Sequence, residues 1–120
     1  MTIKQIRVGF DNFSYIIFCP DTKITALVDP GYDGKKLIEN MDSSGLKLTY
    51  IIATHSHSDH IGEIKKIRNY YSSSIIVASK NCSSTYGYKV DKFVSDQEKI
   101  KIGNISLEFL LTPGHTPDGL

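Results

Sequence analysis

The chain has 120 residues, room for one domain that buries roughly two-thirds of its unfolded surface. Its 14 basic and 13 acidic residues leave a net charge of +1, so no polyanion is implied and no nucleic-acid partner is expected. With 40% hydrophobic residues and no apolar run of spanning length, it reads as an ordinary globular protein without a membrane role. The start, Met1-Thr2-Ile3-Lys4-Gln5, lacks the apolar stretch of a signal peptide, and a cytoplasmic location is expected. Cys19 and Cys82 have no metal-type spacing and are expected as free thiols in a reducing compartment.

In chain order, Ile3 to Gly9 and Ser14 to Cys19 read as two strands of a hairpin joined at Asp11-Asn12. Ile24 to Val28 is a third strand, closed by Asp29-Pro30-Gly31. Leu37, Ile38 and Met41 recur at helical spacing, and Ser43-Ser44-Gly45 stops that helix. Leu48 to Ala53 is short, apolar and rich in β-branched residues, as a strand buried on both faces would be. From Gly62 onward, Ile61, Ile64 and Ile67 form the dry side of a second helix, and Glu63, Lys65, Lys66 and Arg68 its wet side. Ser74 to Ala78 is the next strand, which makes a strand–helix–strand crossover. Lys80 to Tyr88 shows no period and is assigned to loop or short helix. Phe93-Val94, Glu98 to Ile102 and Ile105 to Leu111 complete the strands, with Gly103-Asn104 as a two-residue turn.

The chemistry gathers in two loops. Three of the four histidines lie in Thr54-His55-Ser56-His57-Ser58-Asp59-His60, between the buried strand and the second helix. The fourth, His115, lies in Thr112-Pro113-Gly114-His115-Thr116-Pro117, after another apolar run. Histidine is the commonest metal ligand, with carboxylate a frequent companion, and ordinary surface histidines would be scattered. On a helix, His55 and Asp59 would share a face and His57 would point away. On an extended strand, His55, His57 and Asp59 would share a face and His60 would oppose them. A tight turn instead sends His55 and His57 to one point and Asp59 and His60 to another. That layout suits two metals roughly 3.5–4 Å apart.

The segment Thr54 to His60 resembles the T-H-x-H-x-D-H signature of the metallo-β-lactamase superfamily. Val28-Asp29-Pro30-Gly31 and Thr112-Pro113-Gly114-His115-Thr116 resemble its flanking motifs, in the right order. Asp11-Asn12-Phe13-Ser14-Tyr15 and the Val-Asp-Pro-Gly turn look most like hydroxyacylglutathione hydrolase (glyoxalase II) and its persulfide dioxygenase relatives. The resemblance implies an α/β fold, the first half of an αββα sandwich. The chain is expected to be one partial domain over 1–120, ending soon after the Thr-Pro-Gly-His-Thr motif and before a bridging aspartate and last histidine. Strand edges left open by such a half-domain are expected to pair in a homodimer.

By the same resemblance, His55, His57 and His115 bind one metal, conventionally zinc, and leave a fourth position for water. Asp59 and His60 are ligands of a second metal, and Asp59 is also a proton-handling catalytic group. The plainer reading of Asp59, or of Ser58, is an N-cap for the following helix. Asp29 either supports the histidine loop by hydrogen bonding or is an ordinary Asp-Pro-Gly turn. Thr54 and Thr116 either orient the loops through their hydroxyls or are simple β-formers, and Gly114 permits a special backbone angle beside His115. Tyr70, Tyr71, Tyr86 and Tyr88 fit a binding patch or plain packing.

The implied function is hydrolysis of thioester or ester bonds by a metal-bound hydroxide, with one or two zinc ions and a small-molecule substrate such as an acyl-thiol. Pro117-Asp118-Gly119 after His115-Thr116 is closer to the broader hydrolase branch than to glyoxalase II. An iron oxidoreductase of the persulfide dioxygenase kind is the alternative, with iron held by His55, His115 and a later carboxylate. A half-domain that binds metal and is inactive alone is the third reading.

Overall fold

The computed structural model describes residues 2–8, 12–54, 63–79 and 90–110. Strands β1 (Thr2–Val8) and β2 (Asn12–Phe18) pair antiparallel, from Thr2 opposite Phe18 to Val8 opposite Asn12, as the hairpin reading expects. β3 (Ile24–Val28) returns antiparallel to β2, and from there the sheet turns parallel. β4 (Lys47–Ile52), β5 (Ile75–Ser79) and β6 (Lys92–Val94) add in sequence, giving one six-stranded sheet in the order β1-β2-β3-β4-β5-β6. Parallel neighbours need a crossover. Helix α1 (Gly34–Ser43) lies between β3 and β4, and helix α2 (Ile64–Tyr70) between β4 and β5. β7 (Lys99–Ile102) and β8 (Ile105–Glu108) form a separate antiparallel hairpin.

The apolar run of β4 is explained by burial on both faces. Ile51 packs with Leu27, Leu37, Met41, Ile64, Ile67 and Ile76 on the helical side of the sheet. Its neighbour Ile52 points to the other side, with Ala26, Val77, Val94, Ile100, Ile102 and Phe109. The described residues therefore form three layers, with helices, six-stranded sheet and β7–β8 hairpin stacked in that order. This is the mixed α/β architecture expected of a first half of the sandwich.

Helix α1 buries Leu37 and Met41 completely and ends where Ser43-Ser44-Gly45 requires, with Gly45 at φ 67°. The described part of helix α2 begins at Ile64, with Glu63 at its N-cap position. The Glu63 amide donates to the Pro30 carbonyl at 2.8 Å, which holds the chain there. Ser58, Asp59, Ile61 and Gly62, on which the capping expectation falls, lie outside the described residues. Lys80 to Tyr88, the hairpin turn at residue 11, Cys82, Tyr86, Tyr88, Gly114 and Thr116 lie outside the described residues. The last stretch expected as strand, up to Leu111, is strand only to Glu108.

Gly103-Asn104 is the expected two-residue turn, with positive φ (62°) at its first central position, the type II′ pattern. A side chain at Gly103 would collide with Thr22 Oγ1 and sit 3.0 Å from Cys19 Sγ. That closeness is used. The Cys19 thiol, free and fully buried, donates to Asn104 Oδ1 at 2.8 Å, and Asn104 Nδ2 donates to Asp21 at 3.2 Å. The hairpin is thus pinned to the β2–β3 turn. Gly103→Ala imposes left-handed strain of about 1–2 kcal/mol plus overlap with Thr22. A loss of at least about 2 kcal/mol in urea unfolding, with unchanged m, is the expected outcome.

Tyr70 and Tyr71 serve helix packing. Their hydroxyls donate to the two carboxylate oxygens of Asp42 at 2.6 and 2.7 Å, tying α2 to α1, and their rings meet edge-on at 4.9 Å. These bonds, Tyr70's first, hold the Asp42 carboxyl below its ordinary 3.8. Its stabilisation is complete above that value and is lost as pH falls through the lower folded-state value. Tyr71 is pushed up, by partial burial first and then by Asp42, so its share is complete below pH 10 and fades as pH rises past it. Asp42→Asn is expected to flatten the acid limb of a Tm-against-pH curve below about pH 4. The change is small because Asp42 is exposed and salt screens it.

Candidate metal centre

The parallel strands β3 and β4 end side by side, with Val28 opposite Ile52. In open α/β sheets, functional groups collect at such carboxyl ends. The two chains leaving this edge are the Asp29-Pro30-Gly31 turn and, through Ala53, the histidine segment that starts after Thr54.

Asp29 decides how the second chain leaves. It is only 6% exposed and sits in the left-handed region, φ 54°, which aspartate tolerates better than most residues. Its carboxylate accepts two hydrogen bonds from one residue, from the Thr54 amide at 2.8 Å and from the Thr54 hydroxyl at 2.6 Å. The Asp29 main chain is equally occupied. Its amide donates to Ile52 O, and its carbonyl accepts from the buried Ser14 hydroxyl at 2.8 Å and from the Gly31 amide at 2.9 Å. Asp29 is therefore more than an ordinary turn residue, and the Thr54 hydroxyl has an orienting partner.

The same turn also holds the far end of the histidine segment. Glu63, the first described residue after it, donates its amide to Pro30 O and accepts the Gly34 amide on Oε1 at 3.2 Å. Sequence reasoning placed Glu63 on the wet side of α2 and missed this. No local signal could have found it, because its partners lie about thirty residues earlier.

A pocket of about 170 Å³ opens beside Thr54. Ile17, Val28 and Ile52 line it from the sheet, and Leu107, Phe109 and Leu110 from β8 and its continuation. Phe109 is fixed there by exchanging main-chain hydrogen bonds with Gln97 and Glu98. The structure thus brings together the points from which both histidine-bearing segments depart, Thr54 before His55 and Leu110 before the run to His115. The predicted ligands themselves, His55, His57, Asp59, His60 and His115, lie outside the described residues.

The residues fit a metal ion in their chemistry. Imidazole and carboxylate are donors that suit zinc or non-haem iron. The one described thiol, Cys19, is engaged with Asn104 at the opposite end of the sheet, so it does not compete for that role.

The family model of the metallo-beta-lactamase superfamily matches residues 7–120. The chain belongs to this superfamily. It is 36% identical over 115 residues to the "Probable hydroxyacylglutathione hydrolase glo2" of Schizosaccharomyces pombe, covering 92% of this chain and 42% of that protein. It is 28% identical to the "Probable polyketide biosynthesis zinc-dependent hydrolase PksB" of Bacillus subtilis, covering 98% of this chain and 53% of that protein. The crystal structure of ETHE1 from Myxococcus xanthus superposes with a TM-score of 0.84 at 27% identity, over 99% of this chain and 52% of that one. The superfamily chain described here spans about half the length of the relatives it matches.

Asp29→Ala removes the acceptor for both Thr54 donors. A destabilisation of about 2–3 kcal/mol is expected from these charge-assisted bonds, measured as a shifted urea midpoint. Thr54→Val removes only the hydroxyl and is expected to cost about 1 kcal/mol. Equal losses in the two variants would show that the amide bond contributes nothing.

Proposed function

We propose that this chain carries the metal-binding part of a hydrolase acting on thioester or related ester bonds. The observation that carries this reading is the Asp29–Thr54 pair, a buried carboxylate committed to the residue immediately before the first histidine. Likeness to hydroxyacylglutathione hydrolases and to a zinc-dependent hydrolase supports it. His55, His57 and His115 would hold one ion, and Asp59 and His60 a second. When bound, zinc supplies Lewis acidity and lowers the pKa of coordinated water from 15.7 to about 7.

The chain's own residues do the rest. Asp29 fixes the direction in which the backbone enters the histidine segment, so the imidazoles start from one defined point. Asp59, where it is not a ligand, would hold or pass a proton. The pocket walls Ile17, Val28, Ile52 and Leu107 exclude water from one side of the region and suit an apolar part of an acyl group. The substrate class proposed is an acyl-thiol, with hydroxyacyl-glutathione its specific form. A mononuclear iron oxidoreductase is the second reading, and the match to ETHE1 favours it.

The test is elemental analysis of the purified chain together with thiol release from a hydroxyacyl-glutathione thioester. One or two zinc ions per chain, lost together with hydrolysis in His55→Ala, is the expected result. One iron per chain with oxygen consumption would establish the second reading instead. A chain that takes up no metal after reconstitution would overturn both.

A further inference from the structure

We infer that Glu63 is a positioning residue for the histidine segment, acting through the turn at 29–34 as a second anchor opposite Asp29. The inference rests on the metal-binding reading of that segment and adds a residue to it. Residues 55–62 are bounded by Thr54 and Glu63, and both boundary residues bind the same short turn. Thr54 is held by the Asp29 carboxylate. Glu63 is held by two further bonds, its amide to Pro30 O and its Oε1 from the Gly34 amide. A segment whose two ends are fixed to one element has fewer conformations to lose when its side chains converge on an ion.

Three features show that the Glu63 contact is built in. Gly34 is the first residue of α1, and its amide is one of the donors that a helix leaves without an internal partner. The local N-cap does not serve it, because Asp33 sits in the left-handed region at φ 51° and makes no side-chain capping bond to the helix. Glu63 supplies the missing acceptor from another element, and its negative charge suits the N-terminal end of the α1 dipole. Lastly, Gly34 lets Glu63 approach the helix end closely. A Cβ there would lie 3.3 Å from Glu63 Cδ, so alanine would shift the Glu63 side chain by a few tenths of an ångström.

The experiment measures zinc affinity of the purified chain by chelator competition, and the visible spectrum of its cobalt(II) form, for wild type, Glu63→Ala, Glu63→Gln and Gly34→Ala. Loss of an outer partner of a metal ligand shell typically weakens binding 10–100-fold. Glu63→Ala is expected to weaken zinc binding about 10-fold and to alter the cobalt spectrum. Glu63→Gln keeps an oxygen acceptor for the Gly34 amide and is expected to restore affinity to within about threefold of wild type. Gly34→Ala, which leaves every donor and acceptor in place, is expected to fall between them. Should Glu63→Ala not fold, the Gly34→Ala and Glu63→Gln pair decides the matter on the same readouts. Wild-type affinity and spectrum in Glu63→Ala, or in Gly34→Ala, would overturn the inference while leaving the metal-binding reading intact. Failure of the wild-type chain itself to bind metal would overturn that reading and this inference with it.

Discussion

A buried carboxylate must find donors, and Asp29 finds two of them on Thr54. This requirement couples three strands at one edge of the sheet. β2 reaches the site through the Ser14 hydroxyl on Asp29 O, β3 ends at Asp29, and β4 ends just before Thr54. Breaking the pair would leave polar groups unsatisfied in a packed region, a larger penalty than a surface contact of the same geometry would carry. The direction in which the chain leaves the sheet at Thr54 is therefore set by Asp29.

The opposite end of the sheet has a different task. There Cys19, Thr22, Asp21, Gly103 and Asn104 lock the β7–β8 hairpin onto the β2–β3 turn. This fixes the hairpin layer, so that Phe109 and Leu110 arrive beside Thr54. Structural fastening at one end and chemistry at the other is the division expected of parallel strands, whose carboxyl ends carry loops free to vary. The two core clusters either side of the sheet connect these ends. β3, β4 and β5 contribute residues to both, and none of the three can shift by one residue without exchanging its two buried faces.

The helices are tied as much by polar contacts as by packing. Asp42 accepts both tyrosine hydroxyls from α2, and Glu63 accepts the first amide of α1. Both contacts join α1 to the segment that follows the histidines. The tyrosines that read equally as binding patch or packing prove, for Tyr70 and Tyr71, to be helix clamps.

Elements with local causes were legible in the sequence. The strands of the first hairpin, β3, β4 and β5, the end of α1 at Ser43-Ser44-Gly45 and the Gly103-Asn104 turn follow from side-chain period and turn chemistry, which act over a few residues. The clustering of His55, His57, Asp59, His60 and His115 in two segments was likewise visible, because ligand type and spacing are properties of the chain itself. What the sequence could not express was which distant groups meet. The hold of Pro30 on Glu63, the commitment of Asp29 to Thr54, the capping of α1 by Glu63 and the convergence of Leu110 on the pocket beside Thr54 all join residues far apart in the chain. Such contacts exist only once the sheet has set its order and register, because a hydrogen bond carries no sequence signature at either end until the fold brings donor and acceptor within reach.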